Sequence, residues 1–225
     1  SQGRVVMTPE MLNLQWNASS LYPSGVDAGG LQAQASVTLP AGWSYATALE
    51  TERRDGDTVV FKPISYEHLV DSPLFAGEHF QRFDLDPGAK QPVHLNVFAD
   101  DAKSLKASAE QLKAHRALVQ QMDKLYGARH FDHYDFLLAL TDKLGGIGLE
   151  HHRSSENSGD VGYFTEWDKN WWARDLLPHE YNHSWNGKYR RGADLATANF
   201  NVPMGDSLLW VYEGQTQFWG QVLAA

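Results

Sequence analysis

The chain contains no cysteine, which excludes a disulfide framework and a thiolate metal site, so any metal must be held by histidine and carboxylate. It has no apolar run long enough to span a bilayer. Positive charge is scarce: 19 Lys and Arg stand against 28 Asp and Glu, a formal net charge of −9. That balance argues against nucleic acid and against an anionic membrane surface as partners. No signal peptide is recognisable, and Ser1 in place of an initiator Met is expected of processing or trimming. The compartment is left open, with a periplasmic or secreted setting favoured over the cytoplasm. The remainder is ordinary for a folded protein, since 225 residues at 42% hydrophobic content can bury one large core or two modest ones.

The first hundred residues read as strands. Leu31, Ala33, Ala35, Val37 and Leu39 alternate with Gln32, Gln34, Ser36 and Thr38, the period-two pattern of a half-buried strand, and Pro40-Ala41-Gly42 ends it. Arg54-Asp55-Gly56-Asp57 predicts a hairpin turn ahead of Val59, Val60 and Phe61, and Asp86-Pro87-Gly88 a second one ahead of Val93, Leu95 and Val97. Residues 1–101 are therefore expected to form an antiparallel β-rich domain, and 102–225 a second domain, in an α+β chain.

Residues 101–126 place Leu105, Leu112, Val119, Met122 and Tyr126 on one face, with Gly127 as C-cap, which predicts an amphipathic helix. His130 and His133 follow as loop residues, and residues 134–140 form a short apolar strand. His151 and His152 are adjacent, so in extended chain they point to opposite faces and chelate poorly. Trp167, Trp171 and Trp172 lead to Asp175, expected as an N-cap, with Pro178 tolerated in the first helical turn.

That helix carries His179-Glu180-Tyr181-Asn182-His183, an H-E-x-x-H motif packed into about 1.5 turns. The two imidazoles, four residues apart, project from one face at a separation that a tetrahedral Zn²⁺ can bridge. Glu180 is offset round the helix, where its carboxylate can take a proton from water beside the metal without being a ligand. A catalytic zinc also needs a third protein ligand. Glu213, in Leu209-Trp210-Val211-Tyr212-Glu213-Gly214 on a second helix expected to start near Asp206 or Ser207, is the first candidate. A carboxylate among such bulky apolar neighbours needs a partner, and Asp194 and Asp206 are its rivals. Lys188, Arg190 and Arg191 form a small basic cluster after the motif, suited to acidic partners or to solvent.

The motif and its continuation Ser184-Trp185-Asn186-Gly187-Lys188, then Leu209 to Thr216, resemble the glycyl aminopeptidase family of zinc metallopeptidases. Tyr66-Glu67-His68-Leu69-Val70-Asp71-Ser72-Pro73-Leu74 and Gly145-Gly146-Ile147-Gly148-Leu149-Glu150-His151 match in the same order. The resemblance implies a thermolysin-like catalytic domain, a peptide substrate and one Zn²⁺ on His179, His183 and Glu213, with Glu180 as general base. It implies further that Gly146 and Gly148 belong to a strand lying along the substrate, and that Glu150 holds the free α-amino group. It also implies removal of N-terminal Gly and Ala. Family members are longer, continue into a helical domain and usually carry a PDZ domain, so the chain is expected to be a C-terminally incomplete piece whose partners include the remaining domains. A zinc endopeptidase, in which Glu150 is incidental, and a non-catalytic peptide-binding module with a vestigial metal site are the alternative readings.

Overall fold

The computed structural model describes residues 4–225. The N-terminal part is built of short antiparallel strands: β1 (Met11–Leu14), β2 (Gln32–Ala33), β3 (Ser36–Thr38), β4 (Ser44–Thr47), β5 (Thr51–Asp55), β6 (Thr58–Phe61) and β7 (Ile64–Ser65), then helix α1 (Tyr66–Val70) and β8 (Leu74–Gly77). They pair as β1-β8-β4, β3-β6-β5 and β2-β7. The single strand expected over 31–39 is split in two, because β2 pairs with β7 whereas β3 pairs with β6. Its in–out alternation persists across the break. Gly56 turns the β5–β6 hairpin at φ +60, a conformation that costs glycine nothing.

A five-stranded sheet follows, ordered β12-β13-β11-β10-β9, from β9 (His79–Asp84), β10 (Val93–Ala99), β11 (Tyr134–Leu140), β12 (Gly148–Glu150) and β13 (Ser154–Gly159). Its centre is parallel, with β11 between β10 and β13, and both edge strands run antiparallel. The boundary expected at residue 101 therefore falls between strands of one sheet. Every residue of β11 is buried, since both faces are covered, which is why its sequence is a near-continuous apolar run. On one face Val93, Leu95, Val97, Phe136 and Leu138 meet Leu118, Val119 and Met122 of α2 (Ala109–Tyr126) and Leu177, Tyr181 and Trp185 from the region of α3 (Leu176–His183). On the other, Phe98, Leu137 and Ala139 meet Met11, Ala46 and Phe75 of the β1-β8-β4 sheet. Each Val, Leu, Met or Phe side chain among them contributes about 1.5–3 kcal/mol by leaving water.

Helix α2 starts at Ala109, not at 101. Ser108 and Gln111 form a capping box that satisfies the first orphan donors, and residues 101–105 make turns in which the Asp101 carboxylate accepts from the Ser104 backbone. Gly127 closes it in the left-handed region at φ +72. A last helix, α4 (Leu209–Ala224), packs across α3. Among the described residues no helix is long and apolar enough to cross a membrane.

Candidate metal centre

Helix α3 presents His179 and His183 with ring centroids 4.7 Å apart and their Nε2 atoms 3.0 Å apart. Glu213 on α4 brings Oε2 to 3.6 Å from His179 Nε2 and 3.4 Å from His183 Nε2. Three ligands on one tetrahedral zinc, at bonds of about 2.0–2.1 Å, stand about 3.4 Å apart. The donor atoms thus already lie close to the spacing that a shared cation imposes. Asp194 is elsewhere, with Oδ2 accepting from the Ser207 amide, and Asp206 is exposed.

What brings the two helices together was not visible in the motif. Asp175 stands at the start of α3, but its side chain caps nothing. Its Oδ2 instead accepts from Gln217 Nε2 and Gln221 Nε2 of α4, both at 2.9 Å. Gly220 lets the backbones close up, since a Cβ there would stand 3.2 Å from His179 Cβ. Asn186 Nδ2 donates to Val211 O at 3.2 Å and Thr216 Oγ1 at 3.1 Å, while the Asn186 carbonyl faces His183 Nδ1 at 3.1 Å. That carbonyl places the proton on Nδ1 and leaves the Nε2 lone pair for a metal. Burial, the largest effect, lowers the His183 pKa and favours the neutral ring a ligand needs. The stripe Glu213, Thr216, Gly220 at i, i+3, i+7 was the available sequence signal for this face.

Glu180 also lies near the imidazoles: ligand atoms of His179, Glu180 and His183 fall within 4.8 Å of one another. Two acids are therefore in reach, and their positions differ. Glu213 brings one oxygen to face both Nε2 atoms, whereas Glu180 Oε1 is tucked against β12, 2.5 Å from where a Cβ on Gly148 would stand. Gly148 thus makes room for Glu180, whereas a Cβ on Gly146 would meet nothing nearer than Ser158 Oγ at 3.7 Å. Burial first, then the charges of Glu150 and Glu213, push Glu180 up to about 8. Three carboxylates around two imidazoles are mutually repulsive, and a divalent cation is the group that relieves such crowding. The donor set, two imidazoles and a carboxylate with no thiolate, suits zinc.

Glu150 ends β12, the edge strand of the sheet. Its Oε1 accepts from Tyr212 OH, and the Tyr212 ring lies 4.6 Å from that of His183, so Glu150 is tied to the metal centre through one side chain. The residues after it depart from expectation. His151 and His152 do not diverge, because the chain bends between β12 and β13 and is not extended there. Both Nδ1 atoms meet the Asp71 carboxylate, His151 at 2.9 Å from Oδ1. Lys188, for which the sequence leaves an acidic partner and solvent both open, takes the acidic partner, its Nζ donating to Asp71 Oδ1 at 3.0 Å. His130 stacks on Tyr189 and bonds Ser184 Oγ, and His133 pairs with Asp135 and Glu50, so neither is a free loop histidine.

The M61 glycyl aminopeptidase family matches residues 172–225, and the N-terminal domain of the M61 peptidases matches residues 1–78. Among solved structures the chain is similar to an aminopeptidase N family protein from Idiomarina loihiensis, with TM-score 0.78 and 19% identity over 95% of this chain and 37% of that one. An M1 zinc metallopeptidase from Deinococcus radiodurans matches with TM-score 0.45 and 17% identity over 85% of this chain and 39% of that one. This chain spans less than two fifths of the length of either. Comparison with curated proteins returned no match.

Proposed function

This chain belongs to the M61 glycyl aminopeptidase family, and from that premise we propose that it carries the zinc and amine-binding part of an aminopeptidase that removes N-terminal Gly and Ala from peptides. The observation that carries the reading is the convergence of His179 Nε2, His183 Nε2 and Glu213 Oε2 at 3.0–3.6 Å. These three residues would hold the zinc. Zinc, when bound, supplies Lewis acidity toward water and the scissile carbonyl. Glu180, one residue past the first ligand and buried under β12, takes the proton from the attacking water at its carboxylate and hands it to the leaving amine. Its environment suits both halves of that task, because burial favours the protonated acid and a nearby cation favours the carboxylate.

The substrate backbone lies along edge strand β12, adding a strand to the sheet. Glu150, at the end of that strand, takes the substrate's α-ammonium, which turns a general peptidase into an exopeptidase. The apolar side chains exposed on α4, Trp210, Phe218 and Val222, are what further domains of a longer protein cover.

The test uses zinc-loaded protein, a glycyl or alanyl peptide, and its N-acetylated twin. Hydrolysis of the free peptide with rejection of the blocked one is expected, together with one zinc per chain. Glu180→Gln should keep that zinc and lose about 10²–10⁴-fold in kcat. Equal cleavage of both peptides would assign an endopeptidase, and full turnover by the Gln variant would remove Glu180 as base.

A further inference from the structure

Asp71 belongs to neither the metal centre nor β12, yet four hydrogen bonds converge on its side chain from the segments that follow each of them. It caps the end of α1 in the N-terminal part. Oδ1 accepts from His151 Nδ1 at 2.9 Å and from Lys188 Nζ at 3.0 Å. Oδ2 accepts from the His152 backbone amide at 2.8 Å and from His152 Nδ1. His151 directly follows Glu150. Lys188 follows the H-E-x-x-H helix closely enough that its amide donates to the His183 carbonyl at 2.9 Å.

Asp71, Glu150 and Lys188 line one cleft of ≈ 560 Å³. Lys188 therefore has two acids within its surroundings, and Asp71 is the one it pairs with. Its side chain is 14% exposed, so water does little to solvate the ammonium. Glu150 spends one oxygen on Tyr212 and is otherwise open to a cation. An ammonium on a flexible four-carbon stem is a direct competitor for the place a substrate amine would take.

We propose that Asp71 is a positioning residue for amine recognition: it holds Lys188 away from Glu150 and pins the turn behind Glu150, so that this carboxylate stays available to a substrate ammonium. The inference rests on the reading of Glu150 as the amine-binding acid. Burial works to raise the Glu150 pKa, and Lys188 is the foremost group opposing it, which places the lysine's charge within electrostatic reach of Glu150. Asp71 thus acts through Lys188 and the 151–152 turn and touches no substrate.

The experiment measures calorimetric binding of triglycine and N-acetyl-triglycine to the zinc-loaded full chain carrying Glu180→Gln, in which turnover is slowed about 10²–10⁴-fold. The parent should bind triglycine at least about tenfold more tightly than the blocked peptide, the scale of one charge-assisted bond. Adding Asp71→Asn should erase that preference, as Lys188 takes Glu150. Adding Lys188→Met to that variant should restore most of it. A purely structural role predicts no rescue, so failure of Lys188→Met to restore the preference overturns the proposal, as does full preference with Asp71→Asn alone. If Asp71→Asn does not fold, the variant lacking both charges is compared with the parent. Loss of preference in that variant, with zinc content and melting curve intact, overturns the proposal equally. Absence of any preference in the parent would instead bring down the aminopeptidase reading and this inference with it.

Discussion

Gly148→Ala separates the cost to folding from the cost to chemistry. A Cβ at residue 148 would stand 2.5 Å from Glu180 Oε1 and 2.7 Å from Leu176 Cδ1. The first contact is short of ordinary van der Waals separation by about 0.9 Å. Both obstructing atoms are ends of flexible side chains, so the backbone need not move. The rotamer strain, about 0.5–1.5 kcal/mol for each of the two side chains, is partly offset by the 0.4–1 kcal/mol or so that replacing Gly contributes through the unfolded chain. Net stability should therefore fall by no more than about 2.5 kcal/mol. Glu180, however, is displaced by nearly 1 Å, and a misplacement of that size costs about 10²-fold in rate, or about 2.7 kcal/mol. The assay is steady-state hydrolysis of an alanyl peptide by zinc-loaded protein, with zinc content and thermal melting in parallel. The loss should fall on kcat, with KM little changed. Gly146→Ala is the control on the same segment, because its Cβ would be 3.7 Å from Ser158 Oγ, ordinary contact, and kcat should hold within about twofold. Full kcat in Gly148→Ala would refute the placement of Glu180 as the working base. Equal losses in both variants would mean that the glycines matter for substrate approach and not for the space of Glu180.

Asn186→Ala removes the bonds to Val211 O and Thr216 Oγ1 that set the N-terminal half of α4 against α3, so Glu213 should lose its fixed position. Zinc affinity, measured by competition with a chelator, should fall about 10-fold or more, and an unchanged affinity would contradict that role. The charge network gives a pH dependence. Burial alone would lower the His151 pKa, but Asp71 and Glu156 outweigh it and raise it to about 9 from an unfolded value of 6.5. Its contribution, about 2–3 kcal/mol, is fully present below pH 6.5 and is lost as pH rises through 9. Asp71 supplies the larger part, since His151 Nδ1 lies 2.9 Å from its Oδ1 whereas His151 Nε2 stands 3.6 Å from Glu156 Oε2, longer than a hydrogen bond. Asp71 and Glu156, both depressed despite burial, act at the other end: their contribution is present above their unfolded values of 3.8 and 4.5 and is lost as pH falls further. Urea unfolding from pH 5.5 to 9.5 should show the alkaline decline in the unsubstituted chain and a flatter profile in His151→Gln. Parallel profiles would refute the assignment of a charged His151.

What the sequence determined by itself was whatever chain neighbours decide. Four-residue spacing puts His179 and His183 on one helical face because the helix repeat requires it, and Gly56 and Gly127 mark reversals that only a positive φ allows. The apolar run of residues 134–140 could be recognised as a strand, though its burial on both faces depends on sheets it cannot specify. Tertiary structure decided which distant groups meet. Glu213 faces the two imidazoles because Gly220 lets α4 close on α3 and because Asp175 holds Gln217 and Gln221 in place of capping its own helix. His151 and Lys188 find the same carboxylate across 80 and 117 residues of chain. No local period encodes such a pairing. Closing those loops costs entropy that only the assembled core repays, so the choice among several acids and several cations is made by packing and burial once the sheets and helices are in place.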